Sequence, residues 1–261
     1  MRALLFDATL CAGCGACTAA CREKNQLPET EGPDLSDRRF TVLKKAANRG
    51  SEVNYRRLCM HCLDPTCASV CPVGAFRKTA AGPVVYNSEI CMGCRYCIQA
   101  CPFSVPRFEW SSLTPRVRKC NFCADRLAAG KPNACAEACP TGATLAGERE
   151  ALLKEARSRL AAEPAKYIPK IYGEYDVGGT CVLVLSPVAF SQLGLPDNLP
   201  LHPLRILTYR ALSQVPTFVG CGTFLLAGLG WLTRRKTEVA RFEASLAKSG
   251  TDGPSRKEVK P

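Results

Sequence analysis

Histidine, export signals and catalytic motifs are scarce or absent in this chain of 261 residues. The two histidines, His61 and His202, complete no C-x-x-C-H string, which excludes a c-type haem. No general base, nucleophile or open metal site stands out, so we predict no catalytic residues. Too few residues precede Cys11 for a signal peptide, and no apolar stretch follows the pair Arg38-Arg39, so we find no export signal.

Cysteine, in contrast, is abundant, with 18 residues. Sixteen of them form four quartets, and each quartet has the spacing of a cubane iron–sulfur site. The quartets are Cys11, Cys14, Cys17 and Cys21; Cys59, Cys62, Cys67 and Cys71; Cys91, Cys94, Cys97 and Cys101; and Cys120, Cys123, Cys135 and Cys139. Quartets one and three match the bacterial ferredoxin run C-x₂-C-x₂-C-x₃-C, whose fourth cysteine serves a neighbouring cluster. The quartets are therefore expected to work in pairs, and the pattern predicts electron transfer.

Disulfides and zinc are the alternative uses of so much cysteine. Four repeats of one tight spacing make a poor disulfide framework. Zinc is the better rival, because C-x₂-C pairs also bind zinc and quartet four, with its long gap between Cys123 and Cys135, resembles a zinc ribbon. Quartets one and three do not fit zinc, whose sites rarely use three cysteines at successive x₂ spacing. The leftover Cys181 and Cys221 are predicted to be inert buried thiols.

The formal net charge is +12, and bound clusters would lower it. A basic excess suggests nucleic acid, but no basic stripe or recognition motif supports that partner. Each oxidised four-iron core with four thiolates adds about −2, which would leave the loaded chain only mildly basic. Basic residues near a cluster should raise its reduction potential. Such residues flank the quartets at Arg56, Arg57, Arg116, Arg118 and Lys119.

The remaining patterns predict an α+β fold: two interlocked bacterial-ferredoxin-like lobes with an insertion, an extended C-terminal arm and one C-terminal transmembrane helix. Period-two alternation and turn residues predict strands, and apolar spacing of three and four predicts helix. The predicted elements are a strand at Leu4–Phe6, a hairpin of 75–79 with 84–87, a hairpin of Arg107–Trp110 with Arg116–Lys119, a helix at Glu148–Ala162 and a strand at Thr180–Leu185. In the arm, Tyr167, Tyr172 and Tyr175 suggest either a clasp on a partner or ordinary packing.

Val215–Leu232 has no charged residue and, as a helix, would span about 27 Å, close to the thickness of a hydrocarbon core. Trp231 at its end and the following Arg234-Arg235-Lys236 are typical of a membrane boundary, and the basic flank predicts a cytoplasmic C-terminus. Small residues fall on one helical face, which favours close approach of a partner helix. They are Gly220, Thr223, Ala227 and Gly230. Lobes outside the cytoplasm would need export, which we expect a partner subunit to direct.

Two motifs carry a family resemblance. The run Cys59-Met60-His61-Cys62, followed by Asp64-Pro65, and the run Lys119-Cys120-Asn121-Phe122-Cys123 resemble the four-cluster iron–sulfur subunits of respiratory molybdenum and nickel enzymes. A single-span anchor narrows this to hydrogenase-2-type iron–sulfur subunits and formate dehydrogenase N beta subunits. Segments 171–174, 178–180, 182–185 and 193–196 look slightly more like the hydrogenase group. The resemblance covers roughly Leu4 to Lys236.

The resemblance implies four [4Fe-4S] clusters, with iron held by all sixteen cysteines. Four ligand sets follow from it. The first set is Cys11, Cys14, Cys17 and Cys139; the second is Cys120, Cys123, Cys135 and Cys21; the third is Cys59, Cys62, Cys67 and Cys101; the fourth is Cys91, Cys94, Cys97 and Cys71. Residues 1–21 and 120–147 would form one lobe and residues 59–119 the other, with an insertion at 22–58. Residues 148–203 would hold the helix and a partner-clasping arm, 204–236 the anchor, and 237–261 a basic, disordered tail. The chain departs from the family pattern at Cys21, which precedes Arg22 and not proline.

The implied function is an electron relay. Electrons would pass from a catalytic subunit, a nickel–iron hydrogenase or a molybdenum enzyme, to a quinone-reactive integral membrane subunit. The implied location is the bacterial inner membrane, crossed once, with the lobes in the periplasm and the C-terminus in the cytoplasm. A formate dehydrogenase beta subunit is the alternative, and a soluble polyferredoxin or a purely structural cluster protein comes from other classes. His202 is interpreted as an interfacial residue, with contact to a partner's haem or quinone as the alternative.

Overall fold

The cysteine quartets lie on short helices and hairpins beside a small central sheet. The structure, a computed structural model, describes residues 1–48 and 50–249. Its strands are β1 (Arg2–Asp7), β2 (Thr41–Asn48), β3 (Ser51–Leu58), β4 (Phe76–Lys78), β5 (Val84–Tyr86), β6 (Arg107–Phe108), β7 (Val117–Arg118), β8 (Thr144–Glu148) and β9 (Val182–Leu185). Its helices are α1 (Ala16–Lys24), α2 (Thr66–Ser69), α3 (Tyr96–Ala100), α4 (Ala124–Ala128), α5 (Ala134–Glu137), α6 (Arg149–Ala162) and α7 (Arg205–Ser249). The chain divides into a compact unit, Met1–Ile206, and a second unit from Leu207 onward.

The central sheet has the order β8-β1-β9, with β1 antiparallel to β8 and parallel to β9. β1 is the central strand, and its side chains after Arg2 are buried on both faces of the sheet, as its continuous apolar run Ala3–Phe6 predicts. α6 packs against β1 and β8 through Leu152, Leu153 and Ala156. The sheet therefore joins the start of the chain to segments about 140 to 180 residues away.

The elements predicted from alternation and apolar spacing are present within a few residues. β1 covers Leu4–Phe6, β4 pairs with β5, β6 pairs with β7, and α6 and β9 lie at the predicted helix and strand. These predictions are confirmed. Local sequence was sufficient here because each element is short and bounded by turn residues or proline.

The insertion at 22–58 contains an element that the sequence did not indicate. β2 and β3 form a hairpin paired from Thr41 with Leu58 to Asn48 with Ser51. The hairpin buries Val42, Val53, Tyr55, Arg56 and Leu58. The insertion thus contributes to the core of the first unit, and its buried arginine lies among the cysteines.

The arm after α6 folds onto its own chain. β9 lies in the central sheet, and Tyr167 and Tyr172 are buried. The Tyr172 hydroxyl donates to the Pro196 carbonyl at 2.9 Å. Gly173 has φ +90°, and a Cβ there would lie 2.3 Å from the Thr180 hydroxyl, so the turn that brings the arm back requires glycine. Of the three tyrosines, ordinary packing is the outcome for the first two, while Tyr175 is exposed.

Asp7 at the end of β1 is a fully buried carboxylate that ties the sheet to α6 and the arm. One oxygen accepts hydrogen bonds from the Thr9 backbone N–H at 3.0 Å and from the Thr9 hydroxyl at 2.7 Å. The other accepts from Arg159 Nη1 at 2.9 Å and from the Tyr167 hydroxyl at 3.0 Å. All partners are present, as a buried charge requires.

Replacing Asp7 with asparagine should therefore destabilise the fold. The substitution removes the charge that Arg159 faces and replaces one acceptor oxygen with an NH2 group, a donor that faces other donors, and breaking such a buried pair costs about 3 kcal/mol. Denaturation of the cluster-loaded chain followed by circular dichroism would measure the loss. Glu155→Gln is the matched control, because Glu155 pairs with the same arginine at 2.8 Å on the exposed side, where a pair contributes under about 1 kcal/mol. Equal effects of the two substitutions would contradict the role given to Asp7.

α7 is continuous from Arg205 to Ser249, with Pro216 inside it. Its segment Tyr209–Leu246, with a mean hydropathy of 1.6, is long and apolar enough to cross a membrane, and none of that apolar window is buried. The helix continues beyond the predicted anchor at 204–236, because residues 237–249 are strong helix formers such as Ala, Glu, Leu and Lys. The disorder predicted for 237–261 therefore does not apply to 237–249, and residues 250–261 lie outside the described part. Cys221 is exposed on this helix, not buried as predicted. His202, before the helix, is also exposed.

Candidate iron–sulfur sites

Left-handed backbone shapes the turns that carry quartets one and three. Between Cys11 and Cys17, Gly13 and Gly15 have φ of +72° and +80°. Between Cys91 and Cys97, Gly93 and Arg95 take the equivalent places, with φ of +72° and +62°. Two left-handed residues that lie two positions apart turn the chain tightly, so that successive cysteines face the inside of the same turn. The glycine positions satisfy the conformation without cost, whereas Arg95 adopts it as a non-glycine residue.

The β2–β3 hairpin supports the first of these turns. Asn54 on β3 donates a hydrogen bond from Nδ2 to the Cys11 carbonyl at 3.2 Å. A Cβ on Gly13 would lie 2.7 Å from Asn54 Oδ1. Gly13 is thus required both by its backbone angle and by this close approach.

The short helices bring the quartets together in pairs. α1, which begins inside quartet one, packs against α5, which carries Cys135 of quartet four. α2 of quartet two packs against α3 of quartet three. Quartet one therefore lies beside quartet four, and quartet two beside quartet three, as the ferredoxin run leads one to expect.

Within the first pair, the thiols form two neighbourhoods. Cys11 and Cys17 each interact electrostatically with Cys139, which is the last cysteine of quartet four. Cys14 lies on the same turn and is exposed. Cys21, the last cysteine of quartet one, interacts instead with the thiols of the other neighbourhood. Those thiols are Cys120, Cys123 and Cys135.

Quartets two and three show the same arrangement, in which the last cysteine of each quartet lies beside thiols of the other quartet. Cys62 interacts with Cys59, Cys67 and Cys101, so the last cysteine of quartet three joins three from quartet two. The four thiols line one cavity whose walls include Pro102, Phe103, Val105 and Lys119. Cys97 interacts with Cys91, Cys94 and Cys71, the last of which comes from quartet two. The grouping agrees with the four ligand sets, whose ligation of iron stays a prediction.

Burial raises the pKa of most of these thiols. The pKa of Cys21, Cys67 and Cys97 rises to about 12, first through burial and then through repulsion between neighbouring thiolates. Both causes disappear if a bound cation takes the place of the protons, since metal-bound thiols are deprotonated. Cys139 differs: burial raises its pKa, but hydrogen bonds from the Thr144 N–H, at 3.4 Å, and from Thr141 lower it overall. Loading these sites should thus release protons.

Buried cations lie among the thiols. Arg56 on β3 is 4% exposed and donates from Nη1 to the Thr144 hydroxyl at 3.2 Å. Lys119 is also buried, and its Nζ donates to the carbonyls of Val84 at 2.5 Å and Cys120 at 2.9 Å. The lysine lowers the pKa of both Cys67 and Cys101 against the larger effect of burial. From the sequence alone, both cations are only part of a basic excess near the quartets, because burial cannot be deduced from charge.

His61 is buried between the second and third ligand sets. Its Nδ1 accepts a hydrogen bond from the Val84 N–H at 2.9 Å, and its ring lies 4.5 Å from that of Phe122. Burial, with the charges of Lys119 and Lys78, holds its pKa well below the usual range, so the ring is neutral at physiological pH. From the sequence alone, His61 has no role beyond its place in a motif.

An iron–sulfur group fits this environment. Among the side chains that the structure describes, Arg56 Nε and Nη2 and His61 Nε2 are buried without a hydrogen-bond partner. Buried donors need acceptors, and cluster sulfides beside the thiols would supply them. No three His, Cys, Asp or Glu side chains within residues 1–48 and 50–249 converge on a single metal ion. A cubane takes one thiolate at each of four irons, so its ligands surround a cage and not one point.

The neighbourhoods also follow one another in a row. Cys17 of the first set interacts with Cys135 of the second. Cys120 of the second set interacts with Cys59 of the third, and Cys67 of the third interacts with Cys97 of the fourth. The sets therefore succeed each other in the order first, second, third and fourth.

Comparison with known proteins agrees with this chemistry. A model of the 4Fe-4S dicluster domain matches residues 53–149. The chain is 34% identical over 285 residues to the hydrogenase-2 operon protein HybA of Shigella flexneri, covering 90% of this chain and 84% of that protein. The chain belongs to this family of 4Fe-4S iron–sulfur subunits. The family also includes the formate dehydrogenase-O iron-sulfur subunit of Escherichia coli, 38% identical over 215 residues, or 75% of this chain and 71% of the relative.

A protein of Nitratidesulfovibrio vulgaris is 38% identical over 273 residues, covering 98% of this chain and 73% of that relative. Membership of the family confirms the predicted resemblance and the [4Fe-4S] chemistry. It also confirms that the chain is an electron-transfer subunit without catalysis of its own, because relatives such as the formate dehydrogenase-O protein are iron–sulfur subunits and not catalytic ones.

Proposed function

We propose that this chain holds four [4Fe-4S] clusters and relays electrons along them between a catalytic subunit and a quinone-reactive membrane subunit. The observation that carries the proposal is the row of four thiol neighbourhoods, each with residues of one ligand set. Tunnelling falls steeply with distance, so a continuous row serves transfer through the subunit better than separate sites would. The clusters would supply the redox chemistry, and the chain would fix their order, potentials and insulation from water.

The ligand sets proposed are those that cross between quartets. Cys139 would complete the first set and Cys21 the second, while Cys101 would complete the third set and Cys71 the fourth. The pairing of α1 with α5 and of α2 with α3 supports this, because each pair brings a last cysteine to its neighbour. Two ferredoxin-like lobes interlocked in one compact unit are the arrangement that these pairs favour.

A hydrogenase is the catalytic partner that we favour. The match to HybA extends over 90% of this chain, against 75% for the formate dehydrogenase-O subunit. The higher identity of the latter, 38% against 34%, supports a molybdenum formate dehydrogenase as the second candidate. Either partner would deliver electrons from its own reaction to one end of the row.

The sequence of α7 supports the proposed membrane subunit and the proposed sidedness. Its uncharged residues between Arg210 and Arg234 would cross the bilayer, and its exposed small side chains would face a second membrane helix. Arg234, Arg235 and Lys236 favour a C-terminus in the cytoplasm of a bacterium, with the clusters in the periplasm.

Purification from membranes in mild detergent, without oxygen, is the test of this function. We expect about 16 irons per chain, clusters that give electron paramagnetic resonance signals on reduction, and co-purification of a nickel or molybdenum subunit with a membrane subunit. Hydrogenase activity in the complex would favour the first candidate, and formate oxidation the second. Zinc in place of iron, or clusters that do not cycle between redox states, would refute the relay.

A further inference from the structure

Arg56 is buried in the cluster region, and the contacts of the folded chain do not explain its burial. It lies on β3 of the insertion, fully enclosed, with its guanidinium 5.7 Å from the centre of the Phe6 ring. Only Nη1 has a hydrogen-bond partner, the Thr144 hydroxyl. Nε and Nη2 are buried without one among the described residues. A buried guanidinium with two unsatisfied nitrogens is costly unless an anionic group faces it.

The thiols around Arg56 belong to two different ligand sets. Cys17 of the first set and Cys135 and Cys120 of the second set are its electrostatic neighbours. The guanidinium is charged, because arginine is not deprotonated in proteins. Its partner Thr144 also donates a backbone hydrogen bond to Cys139 Sγ, at 3.4 Å, which links the arginine again to the first set.

We propose that Arg56 is the shared counter-cation of the first and second clusters and raises the reduction potential of both. The proposal rests on the proposed function, since it takes the four ligand sets as assigned. In one-electron reduction a cluster core goes from about +2 to +1 while its donor, the adjacent cluster, is oxidised. The reduced site carries one more negative charge, and a fixed cation in a low-dielectric interior stabilises that state more than the oxidised one.

The place of Arg56 between two ligand sets affects electron transfer between the two clusters. Because one cation serves both, it raises the two potentials together and does not itself widen the difference between them. The unpartnered Nε and Nη2 would donate to cluster sulfides or thiolates, and such hydrogen bonds also raise the potential. Lys119 holds a comparable place beside the thiols of the third set, so each half of the row contains its own buried cation.

The test compares three variants of the full chain purified with its clusters. Arg56→Gln removes the charge, Arg56→Lys keeps it, and Arg57→Gln is the control. Arg57 is the next residue on β3 and points to the other face, where it donates to the Phe103 carbonyl at 3.0 Å. Iron per chain is measured first, and potentiometric titration followed by electron paramagnetic resonance then gives the potential of each cluster.

In Arg56→Gln we expect two of the four potentials to fall, each by a tenfold or greater change in the reduction equilibrium, which is about 59 mV for one electron. Arg56→Lys and Arg57→Gln should leave them near the parent values. If Arg56→Gln instead loses two clusters while Arg56→Lys keeps all four, the need for a shared positive charge is equally supported. Unchanged potentials in Arg56→Gln, or loss of clusters in both Arg56 variants, would overturn the proposal. A parent chain without four clusters would instead refute the proposed function.

Discussion

Replacing Cys101 with alanine is expected to remove the cluster of Cys59, Cys62 and Cys67 and to spare the cluster nearest to Cys101 in sequence. Cys101 ends quartet three, yet its thiol neighbours are Cys59, Cys62 and Cys67 of quartet two, and it lines their cavity. A cubane needs a ligand at each iron, so loss of the fourth thiolate should destroy the cluster or leave a three-iron remnant. Mössbauer spectroscopy of the iron-57-labelled protein would count the intact four-iron clusters.

Paired substitutions make this prediction decisive. Cys62→Ala and Cys94→Ala should each cost one intact cluster alone. Combined with Cys101→Ala, the change at Cys62 should cost nothing further, because both thiols serve one cluster, whereas the change at Cys94 should cost a second. Non-additive loss is the expected mark of two residues that act on the same site. The opposite pattern would show that quartet three holds its own cluster and that the crossing is wrong.

Cys181→Ala is the matched control for these variants. Cys181 is buried, at 0% exposure, and its sulfur accepts a hydrogen bond from Lys78 Nζ at 3.2 Å, but it belongs to no quartet. Its replacement should leave every cluster intact. A loss of iron in this control would mean that cysteine substitutions reduce cluster loading through the fold and not through ligation.

The cysteine spacing predicted the chemistry because it is a property of local sequence. Three thiols on one tight turn reach one cluster whatever the rest of the chain does, and the positive φ values at Gly13 and Gly93 are the form that this takes in the fold. The short hairpins and α6 were predictable for a similar reason, since their patterns involve residues close together in the chain. The family resemblance predicted that the last cysteine of each quartet joins the ligand set of the neighbouring quartet. The thiol neighbours of Cys101 and Cys139 agree with that prediction.

What the sequence did not predict depends on contacts between distant segments. The β2–β3 hairpin is in a stretch rich in charge, and its pairing becomes clear only when Val42, Val53 and Tyr55 are seen in the core. The burial of Arg56 follows from that hairpin, so the cation between two ligand sets was hidden in a count of basic residues. For the same reason the sequence left open whether the arm clasps a partner or packs on its own chain, and in the fold β9 of the arm pairs with β1. The end of α7 was placed too early because a drop in hydropathy ends a membrane span without ending a helix.

A chain that ends at Ile206 should leave the membrane and keep its clusters. The first compact unit, Met1–Ile206, contains every quartet, all of the central sheet and the buried cations Arg56 and Lys119. The apolar segment of α7, Tyr209–Leu246, lies in the second unit. An apolar helix of about 20 residues inserts almost irreversibly, so its removal should transfer nearly all of the protein to the soluble fraction. Expression with the partner that would direct export but without the membrane subunit, separation of membranes by centrifugation and iron analysis of both fractions would measure this.

A chain that ends at Ser249 is the control, since it lacks only residues 250–261 and retains the whole of α7. It should stay with the membranes through an alkaline wash.

The fraction in which each chain is found also tests the electron relay. If the full chain proved soluble without detergent, its apolar helix would have to be covered by protein, and a polyferredoxin that delivers electrons to a soluble acceptor would replace the quinone pathway. If the chain ending at Ile206 remained in the membrane fraction, the first unit itself would hold the bilayer contact. Only release of the shorter chain with its iron, and retention of the longer one, fits a row of clusters anchored by α7 beside a quinone-reactive partner.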